Sequence, residues 1–178
     1  MCMTPLNLKR DGANNTIQCG KCPQCVARRT SAWSFRLTQE DKRSKSSLFL
    51  TLTYGNSNCP VSKKGYMVLK KRDIQLFIKR LRKANSKHTD MPAIKYYAVG
   101  EYGGRTQRPH YHIILFNAKL ELIQPAWDLG QIHYGKVSGA SIGYTLKYMC
   151  KTKRYPLHAN DDRISEFALM SKDLAVTT

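Results

Sequence analysis

The sequence predicts an α+β fold: a central, mainly antiparallel β-sheet flanked by helices, with a cysteine-rich N-terminal appendage. Three observations carry that expectation. Apolar residues recur at helical intervals in "KKRDIQLFIKRLRKA", residues 70–84, and β-rich runs of strand length occupy 46–54, 93–102 and 110–116. The last two runs are joined by the glycine-led "GGRTQRP", a connection of hairpin length that makes them antiparallel neighbours. Helices interleaved with strands that include one evident hairpin suit helices packed on an antiparallel sheet. A chain of 178 residues has the length of one ordinary domain, divided here into a Cys-rich segment, 1–25, and a main domain, 26–178.

Residues 1–25 read as irregular. "VARRTSAWSFRLTQEDKR", 26–43, is a basic helix, and "SSLFLTLTY", 46–54, is a buried strand closed by the turn residues "GNSNCP". A loop to about Leu69 precedes the amphipathic helix 70–84, whose Ile74, Phe77, Ile78 and Leu81 share one stripe opposite Lys and Arg. The hairpin strands follow. "ELIQPAWDLG" then holds a short helical turn, "QIHYGKV" at 131–137 a further strand, and "SIGYTLKYMCK" at 141–151 a further helix. The tail after Arg154 carries no clear pattern.

Thirty Lys and Arg against twelve Asp and Glu leave a formal charge of +18, which points to a polyanionic partner, and each phosphate neutralised by such a chain releases counterions. No stretch approaches the roughly 18 apolar residues of a spanning helix, and no basic head with an apolar run opens the chain as a signal peptide. Nucleic acid is therefore the expected partner, no membrane is expected, and the cytoplasm is the expected location. The six cysteines are expected to be reduced thiols or metal ligands rather than disulfides.

"RPHYHIILF" sets His110 and His112 on one face of a strand and Tyr111 on the other. If the hairpin turns near Arg105 and Thr106, Glu101 faces His110 and a carboxylate joins the two imidazoles. Two histidines and one acid, with positions left for water or substrate, form an open metal site that can polarise a phosphoryl oxygen. The plain alternative is a pair of solvent-facing strand histidines beside an ordinary hairpin acid. His88 and His133 have no comparable partners and are assigned no role.

In "SIGYTLKYMCK" a helical period puts Ile142, Leu146, Met149 and Cys150 on one side and Tyr144, Lys147, Tyr148 and Lys151 on the other. A phenol attacks phosphorus once its proton is lost and the developing charge is offset, and a lysine and a metal ion serve both needs. The alternative is a polar face of amphipathic tyrosines and snorkelling lysines.

Taken in order, "LFLTLTY", "GEYGG…RPHYHIILF" and "GYTLKYMCK" resemble the HUH endonucleases that initiate rolling-circle replication, with His110, Tyr111 and His112 as the histidine motif. The doubled-tyrosine helix is similar to that of the initiators of small icosahedral single-stranded-DNA phages (Microviridae), and "MCMTP", "CGKCPQC" and "EFALMSKDL" look like their gokushovirus branch. The resemblance implies that 26–178 is an HUH endonuclease domain, a Rep-like relative of the ferredoxin-like folds. Glu101, His110 and His112 would hold Mg²⁺ or Mn²⁺, and Tyr144 or Tyr148, aided by Lys147 and Lys151, would attack the scissile phosphate of single-stranded DNA at the phage origin. The products would be a 5′-phosphotyrosine link and a free 3′-hydroxyl, with host helicase and polymerase as partners in the host cytoplasm. Members of the family tend to be longer, so a truncated end after "AVTT" is one expectation, and any helicase or partner-binding tail would lie outside this sequence. A plasmid or transposon two-tyrosine nuclease, a noncatalytic basic nucleic-acid-binding module and a 2-His-1-carboxylate iron oxygenase remain alternatives.

Cys19, Cys22 and Cys25 lie in one CxxCxxC segment, to which Cys2 can return as a fourth thiolate, the number a structural Zn²⁺ site prefers. Free thiols and an iron–sulfur cluster are the alternatives, although the cluster motif's following Cys-Pro is missing. Cys59 and Cys150 are expected as ordinary buried or partly buried thiols. Arg28, Arg29, Arg36, Lys79, Arg80, Arg82 and Lys83 could track a phosphate backbone, and Tyr96, Tyr97 and Tyr102 could stack bases, whereas Trp33 is expected to pack in the core.

Overall fold

The apolar run at the centre of the chain forms a strand covered on both faces, and this divides the molecule into two cores. In the computed structural model, which describes residues 1–10, 12–150 and 155–174, the run is strand β5 (Pro109–Phe116). Tyr111, Ile113 and Leu115 enter one apolar cluster; Ile114 and Phe116 enter the other. Around it the sheet runs β6 (Ile132–Lys136), β3 (Ser47–Thr53), β5, β4 (Lys95–Tyr102) and β7 (Phe167–Met170), with every pair antiparallel.

One face is covered by α2 (Lys71–Asn85) and the short α3 (Ile123–Ala126). Ile74, Phe77, Ile78 and Leu81 of α2 are buried there with Leu50, Leu52 and Trp127, as the helical spacing predicted. The other face is covered by α1 (Pro23–Arg43) and α4 (Gly139–Leu146), which bring Leu37, Ile142 and Leu146 onto Tyr97, Val99 and Ile114. The α+β architecture expected from the sequence is thus the one found.

Tyr111, between the two histidines, fastens β5 to α2. Its hydroxyl accepts the Lys70 N–H at 2.9 Å and lies 2.8 Å from the Tyr54 hydroxyl, which donates to Asp73 at 2.8 Å in the first turn of α2. Burial is the main reason that the Tyr111 phenol is pushed up to about 12.

Several expectations need correction. Segment 1–25 is not irregular: β1 (Leu6–Arg10) and β2 (Ala13–Ile17) form an antiparallel hairpin whose turn has Gly12 at φ 78°, a backbone region that glycine enters without steric cost. Helix α1 starts at Pro23, so Cys25 lies inside it; proline suits the first helical position because its missing N–H would have no partner there. The unread tail supplies β7, whose four residues are too few to display a period. Its Phe167 sits against Gly100, where an added Cβ would come within 3.0 Å of the ring. Tyr97 and Tyr102 are core residues and cannot stack bases, Trp33 packs on Tyr97 at 4.9 Å, and Cys150 is exposed.

The same tail steadies the β4–β5 turn. Arg163 pairs with the buried Asp161 carboxylate through two bonds of 2.8 Å, lies over the Tyr66 and Tyr155 rings, and donates to Gln107 in the turn. Among the basic residues, Arg80 is engaged with Asp128 at 2.9 Å and Arg82 donates to the Ile94 carbonyl at 3.2 Å. Arg28, Arg29, Arg36, Lys79 and Lys83 are exposed.

Candidate metal centre and tyrosine helix

Register on the sheet brings Glu101 opposite His110 and Val99 opposite His112. Glu101, His110 and His112 share the face covered by α1 and α4, and each offers one donor atom within 4.8 Å of the others. Glu101 Oε1 lies 3.0 Å from His110 Nε2 and 3.5 Å from His112 Nε2. The two imidazoles are nearly perpendicular, with centroids 4.9 Å apart.

Hydrogen bonds on the far sides of the rings orient them. His110 Nδ1 lies 3.1 Å from the Arg108 carbonyl, which can only accept, so Nδ1 carries the hydrogen and Nε2 turns its lone pair towards Glu101. Two acceptors 3.0 Å apart call for a cation between them, a proton or a metal ion. His112 Nδ1 is 3.1 Å from Thr51 Oγ1 across the β3–β5 pair, and Phe49 stacks on the ring at 5.8 Å. Among the described residues, His112 Nε2 is buried and has no hydrogen-bond partner, a costly state for a polar atom. Cis ligands at the roughly 2.1 Å of an octahedral Mg²⁺ lie about 3.0 Å apart, so the residues present fit a hard divalent ion.

Helix α4 starts where Ser138 and Ser141 cap each other: Ser138 Oγ accepts the Ser141 N–H at 3.2 Å, and Ser141 Oγ accepts the Ser138 N–H at 2.8 Å. This start aims Tyr144 over the donor group. Its hydroxyl is 3.5 Å from Glu101 Oε1, at the outer limit of a hydrogen bond, and its ring meets His112 edge-on at 4.9 Å. The phenol is half exposed, with 48 % of its surface open to solvent.

Tyr148 does not share that position. The α-helix ends at Leu146 and Lys147–Cys150 continue as a 3₁₀ turn, which advances about 120° per residue instead of about 100°. The side chain is therefore carried off the stripe that an unbroken helix would keep. Tyr148 packs into the second core with Trp33 and Tyr97, and burial first of all raises its phenol, which faces those of Tyr97 and the Arg29 cation. Lys147 is exposed; Lys151 lies outside the described residues. Thr51, Phe49 and the Arg108 carbonyl were not foreseen as supports of the histidines. Thr51 had a signal, as the polar residue between Leu50 and Leu52 on the opposite face of a strand in the same sheet.

At the other end of the face, Cys2, Cys19, Cys22 and Cys25 also bring four donor atoms within 4.8 Å of one another. The Thr4 hydroxyl, followed by the N–H groups of Cys22 and Lys21, pulls the Cys19 thiol down to about 5, whereas burial pushes Cys25 up to about 12.

A family model for replication-associated proteins of the ORF2 type matches residues 47–153, which span β3 through the tyrosine helix. The chain belongs to this family. It is 29 % identical over 176 residues to replication-associated protein VP4 of Bdellovibrio phage phiMH2K, a match covering 86 % of the chain and 53 % of that relative. It is 31 % identical over 157 residues to replication-associated protein ORF2 of Spiroplasma virus 4, covering 78 % and 49 %. Against replication-associated protein ORF4 of Chlamydia phage 1 it is 27 % identical over 157 residues, covering 76 % and 38 %. The chain thus spans about half, or less, of the length of these relatives. No solved structure matches it. The replication-associated protein described here therefore fits the Microviridae-like group that its sequence resembles, and its two donor groups are both able to hold a metal ion. Among its described residues, no helix is long and apolar enough to cross a membrane.

Proposed function

We propose that this replication-associated protein is a metal-dependent endonuclease and strand transferase that nicks and rejoins single-stranded DNA at a phage replication origin. The observation that carries the reading is the Tyr144 phenol, half exposed and 3.5 Å from the carboxylate that also meets both histidines. A nucleophile is of use to a phosphodiester only where the developing charge is met.

Glu101, His110 and His112 would hold Mg²⁺ or Mn²⁺, which when bound polarises a phosphoryl oxygen and offsets its charge. Tyr144 oxygen attacks phosphorus, the bond from phosphorus to the 3′-oxygen breaks, and a 5′-phosphotyrosine and a 3′-hydroxyl result. The phenol proton passes toward Glu101, and the leaving 3′-oxygen takes a proton from water. Lys147 and Lys151 supply positive charge to the phenolate. Attack of the 3′-hydroxyl on the tyrosyl ester reverses the step and rejoins the strand. Tyr144 makes the first cut because it alone of the two phenols stands at the donor group; Tyr148 serves a second cut once Lys147–Cys150 rewind. Exposed Arg28, Arg29, Arg36, Lys79 and Lys83 guide the strand, with host helicase and polymerase acting on the nicked product in the host cytoplasm.

The test is incubation of the protein with end-labelled origin-containing single strands and Mn²⁺, followed by denaturing electrophoresis and mass spectrometry of the linked peptide. A covalent adduct on the peptide containing Tyr144 is expected. Salt-sensitive binding with no adduct under any divalent ion would leave only a nucleic-acid-binding module.

A further inference from the structure

We infer that Cys2, Cys19, Cys22 and Cys25 form a closed, structural Zn²⁺ site that clamps the N-terminal hairpin to the start of α1. The sulfur atoms already outline the required polyhedron. Sγ of Cys2 lies 3.5 Å from that of Cys19 and 3.9 Å from that of Cys22, and Sγ of Cys19 lies 4.0 Å from that of Cys25. A tetrahedron with zinc–sulfur bonds of about 2.3 Å has edges of about 3.8 Å. None of the four is in a disulfide. Four thiolates leave no position for water or substrate, which separates this site from the open one on the sheet.

The surrounding backbone suits bound thiolates. Cys2 Sγ accepts the Cys19 N–H at 3.4 Å, and Cys19 Sγ accepts those of Lys21 at 3.4 Å and Cys22 at 3.3 Å, the kind of outer contact that fixes metal ligands. Helix α1 lacks an ordinary start: its N-cap, Cys22, makes no side-chain cap bond, and no acid lies in its first turn. Four thiolates around one dication are net negative, and at a helix N-terminus that charge meets the positive end of the dipole.

The ligands' places in the chain give the site its purpose. Cys2 precedes β1, Cys19 follows β2, and Cys22 and Cys25 begin α1. The hairpin buries none of its strand β2, and Leu6, Leu8 and Ile17 are exposed; a lone two-stranded hairpin is marginal in water. The ion therefore supplies what side-chain packing does not. Farther along, α1 carries Trp33 and Leu37 against Ile142, Leu146 and Tyr148, so the clamp steadies the helix on which the tyrosines rest.

The test is independent of nicking. The full chain, purified without chelator, is assayed for zinc and iron by plasma mass spectrometry. About one zinc per chain is expected, retained in the His110→Ala, His112→Ala double variant and lost in Cys19→Ser and Cys25→Ser. Cobalt exchange should give the thiolate charge-transfer and intense visible bands of a tetrahedral sulfur site, a reading that stands even if the cysteine variants fail to fold. Removing the ion with a mercurial thiol reagent should speed proteolytic cleavage within residues 1–22 by tenfold or more. Zinc-free protein whose four thiols all react at once with a disulfide reagent, a disulfide among them, or stoichiometric iron overturns the site. Unchanged cleavage after zinc loss overturns the clamp.

Discussion

Tyr144 and Tyr148 begin as equals in the sequence, one helical turn apart and each followed by a lysine three residues on, yet their surroundings are opposite. Tyr144 is half exposed over Glu101 and His112, whereas Tyr148 is packed with Trp33 and Tyr97 in the second core. The difference teaches that spacing alone does not make two phenols equivalent. A change from α to 3₁₀ winding after Leu146 and one apolar partner surface are enough to separate them.

The sharpest way to break this comparison is to remove each hydroxyl in turn. Tyr144→Phe is expected to lower the rate of first-cut adduct formation by on the order of 10³-fold or more, since no nucleophile remains in place. Tyr148→Phe should leave that rate within a factor of about three. An undiminished first adduct in Tyr144→Phe, measured by single-turnover gel assay, would reverse the assignment while leaving the nuclease reading intact. Loss of the donor group should matter nearly as much. His110→Ala is expected to cost about 10²–10³-fold in the same assay, the scale of deleting one electrostatic contact to a reacting phosphate.

A subtler change sharpens the case for the oriented ring. Thr51→Val removes the partner of His112 Nδ1 without touching a donor atom, and is expected to weaken manganese binding, followed by titration, by about 10–100-fold. The smallest effect is on stability. The Arg163 guanidinium holds the Asp161 carboxyl well below the usual carboxylate range, and Arg163 also reaches the turn that precedes His110. Because the folded value is depressed, this stabilisation is fully present above the unfolded value of about 3.9 and is lost as pH falls through the folded one. Asp161→Asn should therefore lower the urea midpoint at pH 7, and the gap to the unaltered protein should narrow as pH falls below about 4. A gap that stays constant across that window would assign the loss to packing instead.

Much of the fold was legible because its elements are strongly periodic. Ile74, Phe77, Ile78 and Leu81 declared a helix face, and the apolar run after His110 declared a strand buried on both sides. The pairing of Glu101 with His110 followed from counting equal distances about the turn, and the register agrees. The N-terminal hairpin was missed because its strands bury no side chain on β2 and so show no alternation of apolar and polar residues. Strand β7 was missed because the partner that orders it, β4, lies far away in the chain. The support of His112 by Thr51 and Phe49 was missed for the same reason: it passes between strands separated by some sixty positions.

The sequence by itself determined the charge, the alternation that sends Tyr111 away from its neighbouring histidines, and the residue types able to take a metal ion at two places. These are local properties, set by backbone period and side-chain chemistry. Only the tertiary structure decided that Tyr144 and not Tyr148 stands at the carboxylate, that Tyr97 and Tyr102 are core residues, and that Cys2 returns to complete a ring of four sulfurs. Each of those outcomes depends on distant segments competing for one surface. Packing between them, rather than spacing along the chain, fixes which face a side chain turns to.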